Sequence, residues 1–119
     1  MKKILVVDDE EILRMLITDT LEEEGYSISE AEDGEQALYL IEKDKFDLVI
    51  LDFMMPGLTG IEVAEQICEE KKQKTQLLML TAKTQTNDIE ESERAGIQYF
   101  MGKPFSPAEL LMLVKEILE

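Results

Sequence analysis

The chain has 119 residues, enough for one compact domain with a buried core. It carries 27 acidic and 12 basic residues and a net charge of −15, which argues against direct contact with nucleic acid or an anionic membrane surface. The single cysteine excludes a disulfide framework, and the lack of histidine excludes any mechanism that uses an imidazole of this chain.

Short apolar runs alternate along the chain with segments of helical periodicity. In chain order, the predicted strands are 4–7, 27–31, 47–51, 76–80 and 97–101. The intervening and final helices are marked by the stripes Leu13–Leu21, Ala37–Ile41, Ile61–Cys68, 86–95 and Leu110–Leu118. On the third stripe, Cys68 is expected to be a small buried side chain.

Local signals at the ends of these segments support the helices. The sequences Thr59-Gly-Ile-Glu62 and Ser106-Pro-Ala-Glu109 both read as capping boxes, and Gly25 and Gly96 stand where helices should end. Strict alternation of strand and helix predicts an α/β fold: a single-domain, doubly wound, five-stranded parallel sheet with helices on both faces.

Polar residues follow the predicted strands at their carboxyl ends, where ligands bind in sheets of this kind. The first strand is followed by Asp8 and Asp9, the third by Asp52, the fourth by Thr81, and the fifth by Lys103. We therefore expect three carboxylates, a hydroxyl and an ammonium to meet at one rim.

Several of these residues also fit ordinary structural positions. Asp9 fits a helix N-cap, Thr81 a strand end, and Lys103 the loop before Pro104. Asp52 is harder to explain in this way, because it follows four apolar residues and a charge there is costly unless it is paired.

Three carboxylates at one rim repel each other, by about 4 kcal/mol for each close pair at an effective dielectric constant of 20. A divalent cation would offset this repulsion. Oxygen ligands without histidine or cysteine favour Mg²⁺, with Mn²⁺ as an alternative.

Four motifs together, DD (8–9), LDFMMPGLTG (51–60), LTA (80–82) and KPF (103–105), closely resemble those of response regulator receiver domains, the phosphoacceptors of two-component signalling. The resemblance extends from Lys3 to the last helix. It implies one receiver domain over residues 1–119, of flavodoxin-like fold and strand order 2-1-3-4-5.

The resemblance also implies a role for each residue at the rim. Asp52 would be the phosphoacceptor in a Mg²⁺-dependent reaction. Asp8, Asp9, Asp52 and the backbone carbonyl of Met54 would hold the metal. The protein would be a signalling switch and not an enzyme, since it would catalyse only its own phosphotransfer and dephosphorylation.

The same resemblance implies how the switch is read. Thr81 and Lys103 would contact the phosphoryl group, and Thr81 and Phe100 would move when it is present. Many family members have tyrosine at the position of Phe100. The face that changes would consist of the fourth helix, the fifth strand and the last helix.

The implied partners are a sensor histidine kinase or histidine phosphotransferase and a downstream output protein or domain, with no direct nucleic-acid or membrane contact. A phosphorylation-dependent homodimer stays open. Ile12 and Met15 lie off the stripe of the first helix, which fits either a docking surface for the kinase or incidental exposure. A cytoplasmic location is expected, and both a stand-alone receiver and part of a larger regulator fit the sequence.

Three other functions compete with this one. A hydrolase of the haloacid dehalogenase class would need an Asp-x-Asp-x-Thr loop after the first strand, and this chain has adjacent acids there. A flavodoxin-like cofactor binder would need a phosphate-binding loop where Asp8 and Asp9 stand. A degenerate receiver used only for docking would not need the complete set of rim residues.

Overall fold

The computed structural model describes residues 1–82 and 86–119, with residues 86–88 described by their backbone alone. The strands in this part of the chain are β1 (Lys3–Val7), β2 (Ser27–Ala31), β3 (Leu48–Asp52), β4 (Gln76–Thr81) and β5 (Tyr99–Gly102). The helices in the same residues are α1 (Glu11–Glu22), α2 (Gly34–Lys43), α3 (Gly60–Gln66), α4 (Glu69–Lys74), α5 (Thr86–Arg94) and α6 (Pro107–Leu118). Within the described ranges, no helix is long and apolar enough to cross a membrane.

The strands form a parallel sheet in the order β2-β1-β3-β4-β5, which confirms the predicted fold class and strand order. The register pairs Val7 with Leu51 and Asp52 with Leu80. Because the strands are parallel and in register, the carboxyl ends of β1, β3 and β4 lie at the same edge of the sheet.

The core consists of two apolar layers, one on each face of the sheet. On one face, α1 and α6 contribute Ile17, Leu21, Leu110 and Val114, all fully or almost fully buried. On the other face, α2 and α3 contribute Ala37, Ile41, Ile61 and Val63. The central strand β3 is buried along its whole length because both layers cover it.

The single helix predicted from the stripe Ile61–Cys68 is wrong, because the structure divides this region into α3 and α4. Ile67 and Cys68 are extended, with ψ of 130° and 153°, and Ile67 is buried whereas Cys68 is exposed. The expectation of a buried Cys68 is therefore also wrong. The helical spacing ceases to apply at Ile67, and the sequence Glu69–Lys74 that follows contains no apolar residue with which to continue the stripe.

The predicted caps are present. The side chains of Thr59 and Ser106 each accept a hydrogen bond from the backbone N–H of the glutamate three residues on, and each glutamate side chain accepts one from the backbone N–H of the capping residue. Gly25 and Gly96 have φ of +93° and +97°, which glycine adopts without the steric cost of a Cβ. The ends of α1, α3, α5 and α6 are thus specified locally.

Two isoleucines of α1 test the orientation of that helix. Ile17 is fully buried and Ile12 is 84% exposed. Ile17→Ala should lower the free energy of unfolding by about 2–5 kcal/mol because it leaves a cavity in the core. Ile12→Ala, the same substitution in the same helix, should change it by less than about 0.5 kcal/mol. Urea denaturation followed by circular dichroism measures both, and equal effects would contradict this placement of α1.

Candidate functional site

The site lies at the carboxyl edge of the sheet, where four strands end. Asp8 directly follows β1, Asp52 is the last residue of β3, Thr81 is the last residue of β4, and Lys103 directly follows β5. The predicted gathering of these side chains at one rim follows from the parallel register of the strands.

Three carboxylates form the centre of the site. Asp8, Asp9 and Asp52 each offer an oxygen within 4.8 Å of the others. Asp8 and Asp52 are buried, with 0% and 4% exposure, whereas Asp9 is exposed. The site is therefore a pocket with two charged groups at its floor and one at its mouth, which is open to a ligand from solvent.

The two oxygens of Asp8 have different surroundings. Oδ1 accepts a hydrogen bond of 2.9 Å from the backbone N–H of Glu10. Oδ2 is buried and accepts no hydrogen bond from the described residues. Because a buried polar atom without a hydrogen bond is costly, this oxygen fits a carboxylate that coordinates a cation. The donor set is all oxygen, which suits a hard divalent metal ion.

Lys103 supplies the positive charge of the site. Its Nζ donates a hydrogen bond of 2.8 Å to Oδ1 of Asp52 and lies 3.6 Å from Oδ2 of Asp8 and 3.7 Å from Oε1 of Glu10. The backbone N–H of Lys103 donates to the carbonyl of Thr81 at 2.7 Å, which holds the loop after β5 against the end of β4. The Lys103–Pro104 peptide bond is cis.

Glu10 is a residue of the site that sequence reasoning assigned only to the start of the first helix. It is the N-cap of α1, but its side chain makes no capping bond. Its carboxylate instead approaches Lys103, as a fourth acid beside the cluster. The signal in the sequence was its position directly after Asp8 and Asp9. Because Glu10 is the N-cap in the structure, Asp9 does not occupy that position.

Burial and charge shift the pKa values of the site in a consistent way. Burial, together with the charges of Asp8 and Asp9, raises the pKa of Asp52 to about 6, although the hydrogen bond from Lys103 opposes this. Burial also raises the pKa of Asp8. Burial alone would lower the pKa of Lys103, but its hydrogen bond to Asp52 and the surrounding carboxylates raise it overall. The ammonium therefore stays charged near neutral pH.

The chain directly after Asp52 is held from two sides. The backbone N–H of Phe53 donates to the carbonyl of Leu80 at 2.8 Å, and the carbonyl of Phe53 accepts from Gly60 at 3.0 Å. A Cβ at position 60 would lie 2.7 Å from the carbonyl oxygen of Asp52 and 2.9 Å from the sulfur of Met79. Only glycine allows the start of α3 to come this close to Asp52.

The remaining predicted site residues lie around this centre. Thr81 is buried at the end of β4. Met54 lies in the loop after β3 and is 68% exposed. Phe100 is half-buried in β5, paired with Met79 of β4, and packs against the core layer beneath α2 and α3.

Comparison with known proteins gives a consistent family. A family model described as the response regulator receiver domain matches residues 4–115. Among curated proteins, the transcriptional regulatory protein ResD of Bacillus subtilis is 46% identical over 116 residues. The alkaline phosphatase synthesis transcriptional regulatory protein PhoP of the same organism is 47% identical over 117 residues. Each alignment covers 98% of this chain and 48% of the relative, so the chain spans about half the length of these regulators.

Solved structures show the same fold. The chemotaxis protein CheY4 of Vibrio cholerae has a TM-score of 0.94 at 34% identity, with 99% of each chain covered. The response regulator TrrA of Thermotoga maritima, solved in complex with Mg²⁺ and BeF, has a TM-score of 0.87 at 42% identity, covering 99% of this chain and all of its own. The flavodoxin-like fold predicted from the sequence is thereby confirmed.

The raised pKa of Asp52 predicts a pH-dependent gain in stability for Asp52→Asn. The pKa of Asp52 is 3.8 in the unfolded chain and about 6 in the folded protein. Ionisation of this side chain therefore lowers the free energy of unfolding by its full amount above pH 6, and it has no such effect below pH 3.8, where the side chain is protonated in both states. Without divalent cations, the substitution should stabilise by up to about 3 kcal/mol near pH 8 and about half as much near pH 5.

Urea denaturation at the two pH values, in a buffer containing a chelator, measures this difference. Asp19→Asn is the matched control, since Asp19 is an exposed aspartate of α1 and its replacement should change stability by less than about 0.5 kcal/mol. A gain for Asp52→Asn that does not depend on pH would contradict the assigned pKa.

Proposed function

Because this chain belongs to the family of response regulator receiver domains, we propose that Asp52 accepts a phosphoryl group from a phosphohistidine and that residues 1–119 form one receiver domain. The phosphohistidine would belong to a sensor histidine kinase or a histidine phosphotransferase, since this chain contains no histidine. The observation that best supports the proposal is a buried Asp52 whose Oδ1 is 2.8 Å from the ammonium of Lys103.

The acidic cluster fits Mg²⁺, and we propose Asp8, Asp9, Asp52 and the backbone carbonyl of Met54 as its ligands. The proximity of the three carboxylates supports this assignment, as does Oδ2 of Asp8, which is buried and accepts no hydrogen bond from the described residues. The Thermotoga relative was solved with Mg²⁺ and BeF. When bound, the ion would neutralise the carboxylates and attract the phosphoryl oxygens. Mn²⁺, another hard cation, stays a prediction.

In the proposed transfer, an oxygen of the Asp52 carboxylate attacks the phosphorus of the phosphohistidine. The new oxygen–phosphorus bond forms as the phosphorus–nitrogen bond breaks, and the electron pair of that bond remains with the imidazole. A pKa of about 6 leaves most Asp52 side chains ionised at neutral pH, as a nucleophile requires. Later attack by water would return the carboxylate and inorganic phosphate.

The residues around Asp52 suit the negative charge that arrives with the phosphoryl group. Phosphoryl transfer depends on positioning and charge neutralisation more than on covalent help from side chains. Lys103 already points at Asp52 from the end of β5. We propose that Lys103 pairs with the bound phosphoryl group and that the hydroxyl of Thr81, at the neighbouring strand end, donates to it.

Phosphorylation would be read on the face formed by α5, β5 and α6, which are the predicted fourth helix, fifth strand and last helix. Thr81 precedes α5, and Phe100 lies in β5, two residues before the register partner of Thr81. Movement of Thr81 towards the phosphoryl group would let the half-buried Phe100 turn inward. A downstream output protein or domain, or a second phosphorylated copy, would bind the changed face.

The donor would dock beside the pocket. Ile12, Met15 and Leu16 of α1 are exposed, and a groove there is completed by Pro104 and Phe105 of the loop before α6. Exposed apolar side chains at the mouth of a phosphorylation site suit a helical kinase surface. With a net charge of −15, residues 1–119 themselves should not bind DNA. The two Bacillus relatives are named transcriptional regulators, but this chain matches only about half the length of each.

The acceptor chemistry is tested by the intact mass of the protein after incubation with acetyl phosphate. Wild type with Mg²⁺ should gain one phosphoryl group, because the cation offsets repulsion at the acidic pocket. The gain should disappear with a chelator or in Asp52→Asn and persist in the control Asp19→Asn. If wild type gains no phosphoryl group and also fails to bind beryllofluoride, a stable mimic of that group, the proposal is contradicted. The chain would then be a docking module without phosphoacceptor chemistry.

The metal ligands are tested separately by calorimetric titration with Mg²⁺. Asp9→Ala should weaken Mg²⁺ binding about tenfold or more, because it removes one of the three carboxylates, the exposed one at the mouth of the pocket. Lys103→Met should not weaken binding, because it removes an ammonium that competes for Asp52 and Asp8. Unchanged affinity in Asp9→Ala would remove Asp9 from the ligand set.

A further inference from the structure

The short helix α4 is held in an unusual way. Its sequence is EEKKQK, and none of its described side chains is buried. Ile67 and Thr75, on either side of it, are buried and fix the two ends of the segment. A helix without an apolar face gains little from packing, so between these two buried residues the contacts of its polar side chains contribute to its position.

One lysine of α4 reaches the end of α5. Nζ of Lys72 donates a hydrogen bond of 2.8 Å to the carbonyl of Ala95, the residue directly after α5. The backbone N–H groups of Gly96 and Ile97 already satisfy the carbonyls of Glu93 and Ser92, as in a Schellman motif. Lys72 therefore places a positive charge on a further carbonyl at the negative end of the helix dipole.

The neighbouring lysine reaches the end of another helix. Nζ of Lys71 donates to the carbonyls of Glu42 and Asp44, at 3.4 and 3.2 Å. These carbonyls belong to the last turn and the C-cap of α2. Two adjacent lysines of α4 thus reach the carboxyl ends of two different helices, Lys71 that of α2 and Lys72 that of α5.

The attachment at α5 matters because few of the described side chains of that helix are buried. From Ile89 to Arg94, the described side chains bury Ser92 and leave Ile89 half-buried, and the buried Ala95 and Ile97 lie beyond the end of the helix. In contrast, α6 buries Leu110 and Val114 within its length. We propose that α4 is a lysine clamp in which Lys71 fixes the carboxyl end of α2 and Lys72 fixes the carboxyl end of α5.

The clamp gives the signalling face a fixed end. The amino end of α5 follows the segment that begins at Thr81, and its carboxyl end is tied to α4 through Lys72. A shift of Thr81 would therefore tilt α5 about the anchored end and would not displace the whole helix. This consequence rests on the proposed function, whereas the clamp itself exists in the unphosphorylated protein.

Amide hydrogen exchange measured by NMR on the unphosphorylated chain tests the clamp. Lys72→Met should speed exchange of the amides of residues 95–97 about tenfold, the factor for one charge-assisted hydrogen bond. Lys71→Met should speed exchange at Asp44 and leave 95–97 unchanged. Lys74→Met is the matched control, because Lys74 is an exposed lysine of the same helix, and it should alter neither region.

The conservative variant Lys72→Arg, which keeps the positive charge, should retain most of the protection at 95–97. The clamp is overturned if Lys72→Met exchanges no faster there than Lys74→Met. It is also overturned if Lys71→Met and Lys72→Met accelerate exchange equally throughout the chain, because that pattern indicates general loss of stability. Neither result would affect the acetyl phosphate experiment on wild type, so failure of the clamp and failure of the proposed function are distinguishable.

Discussion

The central constraint on this protein is electrostatic: buried carboxylates share one pocket with a single ammonium among the described residues. Asp8 and Asp52 are removed from water, Asp9 and Glu10 add charge at the mouth, and Lys103 contacts Asp52 and approaches Asp8 and Glu10. Lys103 cannot balance all of them, and the raised pKa of Asp52 reflects first its burial and then the charges of Asp8 and Asp9. This excess of negative charge destabilises the pocket by itself and suits it to a cation.

The rest of the fold keeps these charges together. The parallel register brings four strand ends to one edge, and both core layers cover β3, so Asp52 stands at the end of the most buried strand. The backbone bond from Lys103 to Thr81 fixes the ammonium relative to β4. Gly60, at the start of α3, packs closely against the backbone of Asp52 and restricts its movement. Stability provided by the core offsets the local cost of the site.

At α4, which precedes the amino end of β4, polar contacts hold a segment that has little apolar packing. The helix α4 lacks an apolar stripe and is attached through Lys71 and Lys72 to backbone carbonyls. Such contacts are individually modest and depend on single side chains, so they can change without disturbing the core.

The sequence by itself determined the five strands with helical segments between them, the caps at Thr59 and Ser106, and the set of residues at the rim, because these depend on local periodicity and on the residues directly after each strand. It did not determine that two helices, α3 and α4, separate β3 from β4. The sequence could not determine that the backbone becomes extended at Ile67 and that Cys68 is exposed, because this conformation depends on how the side chain of Ile67 packs in the core. Nor could it reveal the approach of Glu10 to Lys103 or the reach of Lys72 to Ala95. Those contacts join residues that are distant in sequence, and only tertiary packing brings them within bonding distance.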